Sequence, residues 1–369
     1  MSKGLLFIPD ISGFTKFVNE TEIEHSRFII EELLENIINS NQLELTISEI
    51  EGDAVLFFKF GEPPSTEEIY RQVEKMFCNF QKQIKNYESQ RVCPCAACRS
   101  AINLSLKVIT HYGEFSTYNV REYNKLIGKD VILAHQLLKN DIDHHEYWLV
   151  TSDLYQKEKT NRVLPEWMKW QQGNKQTDNG DVGYHYSMLS QLKEKIEPDP
   201  LPQYGLGNDK VKVVSLNKTI EKDLMHVFAT LGDFSLRPKW QEGVKTVDQV
   251  SHPIYHVGIK HRCILDKTSM VLYTSSFSGS EDSFSLTETD EKKRGEMNVT
   301  LKSIEENKTL VNFDYYLKKN PLMIGMFNLF MKKKLNAQFK RSLDNLEALC
   351  LNRAAVEELK IIRYSELIK

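Results

Sequence analysis

Apolar residues along the first half of the chain follow two different spacings. They recur every three or four positions in helix-like segments, and every second position or without interruption in short strand-like segments. Turn residues separate these segments, as at Glu51 and Gly52 between two apolar runs. The predicted strands are 5–8, 43–50, 54–60, 103–110, 147–151 and 183–189, and the predicted helices are 23–38, 69–84 and 131–138. This order is typical of an α+β fold with a largely antiparallel sheet.

Residues 197–208 interrupt this pattern, because they are rich in proline and glycine and have no periodicity. They are predicted to form a linker, so that residues 1–196 make up one domain. A second domain is predicted for 209–351 and a C-terminal tail for 352–369. The second domain's predicted strands are 211–216, 256–265, 269–278, 283–290, 295–305 and 309–317, and its predicted helices are 220–231 and 321–351. A run of strands closed by a long helix again indicates an α+β domain.

Composition and charge narrow the class of protein. The 369 residues are 41% hydrophobic and 27% charged, as in ordinary globular proteins, and their number favours two domains. The net charge of −3 argues against a general nucleic-acid-binding protein, which would carry a basic excess. The apolar run 5–8 is too short for a secretory signal, and no apolar stretch reaches the ~20 residues that span a bilayer. A cytoplasmic protein without a transmembrane segment is therefore expected.

Asp10 and Asp53 each lie at an end of an apolar strand beside a glycine. A carboxylate at the end of a buried strand is costly unless something neutralises it. If the two strands are neighbours, the carboxylates converge and offer the hard oxygen ligands that Mg²⁺ prefers. Gly13-Phe14-Thr15 would then present N–H groups to a phosphate at a helix start. The alternative is structural, with Asp10 as a helix cap and Asp53 as a turn residue, and spacing alone leaves both interpretations open.

Four motifs follow one another in the first 190 residues: FIPDISGFT at 7–15, EIEGDAV at 49–55, LKVITHYGE at 106–114 and IGKDVILAHQL at 127–137. Their order and sequence closely resemble the catalytic domain of class III adenylate and guanylate cyclases. The resemblance implies a ferredoxin-like fold that binds a purine nucleotide, with two Mg²⁺ or Mn²⁺ ions held by Asp10, Asp53 and the Ile11 carbonyl. Because the family's site forms between two subunits, it also implies a homodimer, or a heterodimer with a complete partner.

The positions that read the base and act on the transition state depart from the family's pattern. Glu49 resembles the base-reading carboxylate of guanylate cyclases, but its partner position is Lys125, which fits neither usual specificity. The transition-state Asn and Arg are replaced by Ile132 and Gln136. Losing one such preorganised group typically costs about 10²–10³ in rate. The nearby side chains that could substitute, or that are simply solvated, are Arg121, Lys129 and His135.

Two functions are compatible with these residues. The chain is either a signalling enzyme that forms a cyclic purine nucleotide and pyrophosphate, or a catalytically inactive regulatory protein. In the second case the cyclase-like domain would sense a nucleotide or form a dimer. Asp10, Asp53 and Glu49 favour the enzyme, whereas Ile132 and Gln136 favour the regulatory protein.

Three of the six cysteines lie close together, at Cys93, Cys95 and Cys98. In a reducing compartment such a group is not a disulfide framework. Three thiolates can hold a structural Zn²⁺ with a fourth ligand, for which the candidates are Cys78, His111, His144 and His145. The alternative is a reduced or redox-active thiol cluster.

The order of elements in 209–351, with IEKDLMHVF at 220–228, resembles the START-like helix-grip superfamily. The resemblance implies a ligand-sensing domain with an apolar cavity for a hydrophobic small molecule or lipid. The alternative is that the candidate residues only fill the core. These residues are Phe234, Trp240, Tyr273, Phe277, Phe313, Tyr315, Met323, Met326 and Phe330.

Two further groups in this domain carry charge. His252, His256 and His261 could form a metal site, but their spacing across two strand-like segments favours surface or hydrogen-bonded histidines. The basic segment MKKKLNAQFKR at 331–341 follows an apolar stretch. It either contacts a membrane surface or forms a solvated helix face.

Overall fold

The computed structural model describes residues 2–21, 23–92, 96–121, 123–157, 164–177, 180–248, 250 and 256–352. The chain divides into two compact units, Met1–Ser89 with Pro94–Asp199 and Gln90–Cys93 with Pro200–Lys369. The division after Asp199 lies inside the segment 197–208 that the sequence predicts as a linker. The grouping of Gln90–Cys93 with the second unit has no counterpart in the sequence-based prediction.

The first unit is built on a mixed sheet with helices packed against it. Its described strands are β1 (Ser2–Ser12), β2 (Thr46–Glu51), β3 (Ala54–Phe60), β4 (Ser105–Val120), β5 (Tyr123–Ile127), β6 (Tyr147–Thr151), β7 (Trp170–Thr177) and β8 (Gly180–Met188). Its described helices are α1 (Phe14–Glu20), α2 (Ile23–Asn39), α3 (Thr66–Gln90), α4 (Ala96–Ser100), α5 (Lys129–Leu138), α6 (Ser152–Gln156) and α7 (Ser190–Lys193), and a 3₁₀ turn covers Ala101–Asn103.

The strand β1 is an interior strand of this sheet. The strand order is β2-β3-β1-β4-β6-β8-β7, with β5 paired to β4. β4 and β6 are parallel, and the other neighbouring strands are antiparallel. β1 is buried from Gly4 to Ser12, and Leu6 and Ile8 share a core cluster with Ala134 and Leu137 of α5. The end of β1 is thus fixed by packing on both edges and on the α5 side.

The second unit is an antiparallel sheet with a long helix against it. Its strands in the order β10-β11-β12-β13-β14-β15-β9 are Val244–Asp248, Lys260–Leu265, Ser269–Gly279, Ser283–Asp290, Gly295–Glu305, Lys308–Lys318 and Lys210–Ile220. The described helices are α8 (Leu224–Gly232), α9 (Arg237–Trp240), α10 (Pro321–Met326) and α11 (Lys332–Leu351), with a π-helical turn at Phe327–Met331. Leu343 and Leu346 of α11 share the core cluster with Val311 and Phe313 of β15.

The α+β class is confirmed for both units, but several boundaries differ from the sequence-based prediction. Ile220 ends β9 and does not begin a helix, because it continues the pairing with β15 opposite Thr309. β4 runs on to Val120, well beyond the predicted end at 110, since it pairs first with β1 and then with β5. The strands β5, β7 and β10 were not predicted, because their polar and apolar residues hardly alternate. Among the described helices, none combines the length and the apolar character needed to cross a bilayer.

Candidate functional site

Strand pairing brings Asp10 and Asp53 to the same end of the first unit's sheet. Asp10 lies near the end of β1, opposite Ala54, the first residue of β3. The amide N–H of Ile11 donates to the carbonyl oxygen of Asp53 at 2.9 Å, which holds the β2–β3 turn against β1. Gly52 in that turn has a φ of +63°, a conformation that glycine adopts without strain. The backbone therefore fixes both carboxylates relative to each other.

Asp10 is a desolvated carboxyl group beside a lysine. Its exposed fraction is 8%, and the Nζ atom of Lys107 lies 3.3 Å from its Oδ1 atom. Burial raises the pKa of Asp10 to about 6, Lys107 opposes this rise, and the charge of Asp53 adds to it. Burial also raises the pKa of Asp53. The two carboxylates thus lie where an additional positive charge would stabilise their ionised form.

Lys107 was not singled out by the sequence analysis. It lies on β4 directly opposite Asp10, and its ammonium group also donates to the carbonyl oxygen of Leu138 at 3.2 Å. A lysine inside the otherwise apolar run 106–109 was a detectable signal, because lysine is rarely buried without a partner.

Both carboxylates line an open cleft of about 950 Å³. Gly13, with a φ of +89°, precedes α1, and the first-turn amides of Phe14 and Thr15 have no partner within that helix. The predicted phosphate-binding segment therefore borders the same cleft as the carboxylates. The lining residues are Asp10, Ile11, Ser12, Gly13, Phe14, Thr15, Lys16, Glu51, Asp53, Ala54, Lys107, Ile132, His135, Gln136, Leu138, Lys139 and His145.

The donor set around Asp10 suits a divalent cation. Ser12 lies two residues further along β1 and therefore on the same face of the strand as Asp10. Its buried hydroxyl oxygen has no hydrogen-bond partner among the residues that the structure describes. With the carboxylates of Asp10 and Asp53 and the carbonyl of Ile11, it completes a set of hard oxygen donors, which Mg²⁺ and Mn²⁺ prefer. A cation of this class fits the residues present.

The two predicted base-reading residues are paired with each other. Lys125 of β5 forms an ion pair with Glu49 of β2, and the hydrogen bond to Glu49 raises the pKa of Lys125. On the same side, Nδ1 of His135 lies 3.6 Å from Oε2 of Glu51. One ligand atom each from Glu49, Glu51 and His135 lies within 4.8 Å of the others. A base that used Glu49 as an acceptor would compete with Lys125 for it.

The two replaced transition-state positions both lie on the cleft. One of the three suggested substitutes lies there as well. Ile132 lines the cleft with 56% of its surface exposed, and Gln136 lies one helical turn further along α5. His135 is also on the cleft, whereas Arg121 and Lys129 are exposed side chains outside its described lining. Arg121 lies in the turn after β4 with a φ of 54°.

Cys93 and Cys95 lie outside the described residues, so only Cys98 of the cysteine cluster is placed. Cys98 is buried, and its Sγ atom lies 3.6 Å from Nδ1 of His25 on α2. Sequence reasoning missed His25, which is remote along the chain. Cys78 lies on α3, and burial raises its pKa to about 11. His111 instead contacts Thr151 and Asp130, while His144 and His145 are exposed.

The second unit contains a smaller, largely apolar cavity of about 180 Å³. Of the predicted lining residues, the structure brings Trp240, Phe313 and Tyr315 to this cavity. Phe330 does not reach it, because it is 72% exposed on the π-helical turn, and Met326 is exposed as well. The other candidates lie elsewhere in the unit: Phe234 packs against His261, Tyr273 stacks on Tyr204, Phe277 packs on Phe228, and Met323 packs on the edge of the core.

Two residues that line this cavity carry a buried polar atom without a partner in the described part of the chain. The indole Nε1 of Trp240 is a buried donor without a partner, and Oε1 of Gln241 is a buried acceptor without one. The carboxylate of Glu288 also reaches the wall, where it is bound by Arg237. Arg237 lies between Leu236 and Pro238, and its partners Glu288 and His261 are remote along the chain.

The predicted histidine cluster is not assembled in the described residues. His261 is fully buried and contacts Arg237 and Glu288, and Nδ1 of His256 donates to the carbonyl oxygen of Val257, 2.8 Å away. His252 lies outside the described residues. The favoured prediction of hydrogen-bonded histidines therefore describes His261 and His256.

Comparison with known protein sequences adds two findings. A family described as "Protein of unknown function (DUF2652)" matches residues 30–147. The "Uncharacterized protein Rv2561/Rv2562" of Mycobacterium tuberculosis is 34% identical over 122 residues, which are 32% of this chain. This chain covers 56% of that relative's length.

Comparison with solved structures finds cyclase catalytic domains at low identity over about half of the chain. One is the catalytic core of a rhodopsin-guanylyl cyclase with converted specificity, in complex with ATPalphaS, at 15% identity and a TM-score of 0.37, covering 51% of this chain and 96% of that one. The guanylate cyclase domain of RhGC from Catenaria anguillulae, in complex with GTP, has 16% identity, a TM-score of 0.37 and the same coverage. The adenylyl cyclase CyaB from P. aeruginosa has 17% identity and a TM-score of 0.33, covering 51% and 94%.

Proposed function

We propose that the first unit binds a purine nucleoside triphosphate together with a divalent cation in the cleft at Asp10 and Asp53. The observation that carries this proposal is the pair of desolvated carboxylates held beside Lys107 and next to the unpaired hydroxyl of Ser12. Asp10, Asp53, Ser12 and the Ile11 carbonyl would hold the cation. A bound divalent cation supplies Lewis-acid charge to phosphate oxygens.

The other residues of the cleft would hold the triphosphate. The amides of Phe14 and Thr15 offer N–H groups to phosphate oxygens at the start of α1. Lys107 offers a second positive charge once a cation competes for Asp10. Glu49 would accept from the N–H groups of a guanine if Lys125 turns away, which is why we expect a preference for GTP over ATP.

We propose that the protein acts in signalling mainly by binding the nucleotide and that any cyclisation to a cyclic monophosphate is slow. Ile132 and Gln136 line the cleft but carry no charge that could stabilise a transferring phosphoryl group. Lys139 lies one turn beyond Gln136 on the same cleft and is an exposed cation. A regulatory role therefore explains why the carboxylates of Asp10 and Asp53 are retained while α5 lacks the transition-state Asn and Arg.

Calorimetric titration of the full-length protein with GTP, ATP and CTP, with and without Mn²⁺, tests the binding. We expect Mn²⁺-dependent binding of GTP, and a loss of about tenfold or more in affinity for Asp10→Asn, as for other disturbed metal sites. Asp143→Asn, which removes an exposed carboxylate of the same unit, should bind like the wild type. Cation-independent binding, or unchanged binding by Asp10→Asn, would contradict the proposal.

Product analysis by mass spectrometry tests the rate separately. We expect little or no cyclic nucleotide from the wild type. The double variant Ile132→Asn/Gln136→Arg should form more of it, by about 10²–10³ if the restored groups reach the phosphates. Rapid cyclisation by the wild type would show that other residues supply the missing charge.

We propose that the protein forms a homodimer through the face that contains the cleft. The motif resemblance implies a site shared between two subunits, and a second copy at this face would remove the exposed Ile132 on the cleft wall from water. Light scattering should give the mass of two chains for the wild type, and a lower mass for Ile132→Lys. A monomeric wild type would overturn this part of the proposal.

A second candidate function belongs to the cavity of the second unit. We propose that it binds a small, largely apolar molecule with one hydrogen-bond acceptor, as in a ligand sensor of the START-like class. The unpaired Nε1 donor of Trp240 at a cavity of about 180 Å³ favours this over a merely filled core. Cavities of roughly 150 Å³ without polar atoms bind benzene-sized molecules.

A pair of matched probes tests the cavity. Acetophenone has a carbonyl acceptor, and ethylbenzene has nearly the same shape without one. Acetophenone should bind more tightly to the wild type, and Trp240→Phe should weaken its binding about fivefold, the value of one net hydrogen bond. Binding of ethylbenzene should change much less. Equal affinities of both probes for the wild type would contradict a role for the Trp240 donor.

We propose a structural Zn²⁺ at the cysteine cluster, with His25 as the nitrogen ligand. The contact of 3.6 Å between Cys98 and His25 supports it, since thiolate and imidazole are the usual ligands of structural zinc. Metal analysis of the purified protein should find zinc, and Cys98→Ser and His25→Ala should reduce it. Cys78→Ser serves as the control. Negligible zinc in the wild type would favour the alternative of a reduced or redox-active thiol cluster.

A further inference from the structure

The helical segment that follows β15 exposes a continuous apolar stripe. We define the stripe as Leu322, Met326, Leu329 and Phe330, which are separated by four, seven and eight positions from the first and so lie on one helix face. Leu322 and Leu329 are 75% exposed and Phe330 is 72% exposed. Single exposed apolar residues are common, but four large ones on one face mark an interaction surface.

The stripe belongs to an ordered element with a fixed orientation. Asn320 caps α10, and its side chain accepts from the amide of Met323 at 3.1 Å. Phe327, in the π-helical turn, is buried and packs with its ring centroid 6.2 Å from that of Tyr315. Phe327 therefore anchors the segment to the core of the second unit, and the stripe is left pointing away from it.

The charges around the stripe have one sign. Residues 318–341 contain six lysines and one arginine and no acidic residue. Lys318 and Lys319 precede α10, and Lys332–334 follow the π-helical turn, so that exposed cations lie at both ends of the stripe. Within the described part of the chain, these five lysines form no ion pair, unlike Arg341, which pairs with Glu242 at 3.1 Å.

We infer that this stripe docks the protein flat on an anionic phospholipid bilayer. Leucine, methionine and phenylalanine on one face suit the boundary of the acyl chains, and lysines beside them suit lipid phosphates and carboxylates. An apolar protein partner would leave the five lysines unmatched. The inference is independent of nucleotide binding in the first unit.

Co-sedimentation of the full-length protein with lipid vesicles tests this inference. The protein should bind vesicles of phosphatidylcholine with phosphatidylserine, bind vesicles of phosphatidylcholine alone far less, and dissociate as salt is raised. Leu329→Ser/Phe330→Ser should lower the partition coefficient by at least about tenfold, because two apolar side chains no longer leave water. Lys332→Gln/Lys333→Gln should lower it by roughly 25-fold, at about fivefold per lysine.

Matched surface variants of the same unit serve as controls. Ile304→Ser removes another exposed apolar residue, and Lys292→Gln/Lys302→Gln removes two exposed lysines elsewhere. Both should bind vesicles like the wild type, and all variants should melt at the wild-type temperature because the changed side chains are exposed. Wild-type protein that stays in the supernatant would overturn the inference. A wild-type mass of two chains that falls to one chain in Leu329→Ser/Phe330→Ser would also overturn the inference, because a second copy of the chain would then cover the stripe.

Discussion

Arg237 and Arg262 make the same kind of contact in two different environments of the second unit. Arg237 is buried and binds both carboxylate oxygens of Glu288, at 2.9 and 2.6 Å. Arg262 binds both carboxylate oxygens of Asp248 at 2.7 Å, but this pair is at the surface. Both contacts are bidentate, so the comparison of the two pairs reports chiefly on the burial of an ion pair.

Replacing each arginine by leucine should therefore give very different losses of stability. Arg237→Leu removes the arginine from the buried charge of Glu288, and we expect a loss of about 3–5 kcal/mol in the free energy of unfolding. Arg262→Leu should cost no more than about 1 kcal/mol, because water solvates Asp248. Urea unfolding followed by circular dichroism measures both. The double variant Arg237→Leu/Glu288→Leu should recover much of the loss. Equal losses of stability for the two single variants would refute the idea that burial makes the Arg237–Glu288 pair the more costly one to break.

His261 is buried beside Arg237 and Glu288, and it makes the stability of the protein depend on pH. The Nη1 group of Arg237 lies 2.8 Å from Nε2 of His261, and since Arg237 can only donate, Nε2 accepts and the imidazole is neutral. Burial lowers the pKa of His261 to about 3, from a usual value of about 6.5. Between these two values the unfolded chain binds a proton at this residue and the folded chain does not. The stability contributed by His261 is therefore present above pH 6.5 and is lost as the pH falls towards 3.

The free energy of unfolding should consequently fall on acidification. From pH 7 to pH 5 we expect His261 to remove about 2 kcal/mol. Urea unfolding of the wild type and of His261→Gln at both pH values isolates this contribution, because the variant should show a change smaller by that amount. His144→Gln, at an exposed histidine, should retain the wild-type pH dependence. An identical pH dependence for the wild type and His261→Gln would rule out a neutral, buried His261.

At the scale of elements, the start of α8 shows how a correct pattern can give a wrong boundary. Ile220, Leu224, Val227, Phe228 and Leu231 have the spacing of one helix face, which predicts a helix from residue 220. In the structure Ile220 is the last residue of β9, and the helix begins after Asp223. The carboxylate of Asp223 accepts from the amide of His226 at 2.9 Å. The capping residue, and not the apolar period, marked the boundary.

This cap should contribute measurably to the second unit's stability. Asp223→Ala leaves the amide of His226 without its acceptor, and we expect a loss of about 1 kcal/mol in the free energy of unfolding. Asp223→Asn is the control, because its amide oxygen can accept the same hydrogen bond and should cost only a few tenths of a kcal/mol. Chemical denaturation distinguishes the two. A loss for Asp223→Asn as large as that for Asp223→Ala would assign the effect to charge and not to the cap.

Sequence reasoning singled out residues whose local context is distinctive, and missed contacts that only the fold creates. Asp10 and Asp53 were predicted as a pair because both lie at strand ends beside glycines, and the motif order supported it. The contacts of Lys107 with Asp10 and of His25 with Cys98 depend on strand order and helix packing. Burial of Arg237 depends likewise on strands more than 20 residues away. Long-range packing of this kind leaves no period in the sequence.

At the scale of the whole molecule, the second unit includes a short segment from the first half of the chain. The carbonyl of Gln90 accepts from the amide of Val257 at 2.9 Å, and Arg91 forms a β-bridge with His256. Val92 is buried in the core cluster that also contains Val257 and Ile259. A single cut between residues 199 and 200 would therefore remove a part of the second unit's own core.

We predict that a fragment of residues 200–352 is less stable than the same unit in the full chain. The fragment lacks the apolar contacts of Val92 and the two backbone contacts of Gln90 and Arg91. In the full chain, Val92→Ala should destabilise the second unit by about 1–3 kcal/mol, because it leaves a cavity in a packed core. Native-state hydrogen exchange of the strands Lys260–Leu265 and Lys308–Lys318 reports on this unit alone. Val18→Ala, at an exposed valine of the first unit, should leave that exchange unchanged. A fragment whose strands exchange as slowly as in the full chain would show that residues 90–92 add nothing to its stability.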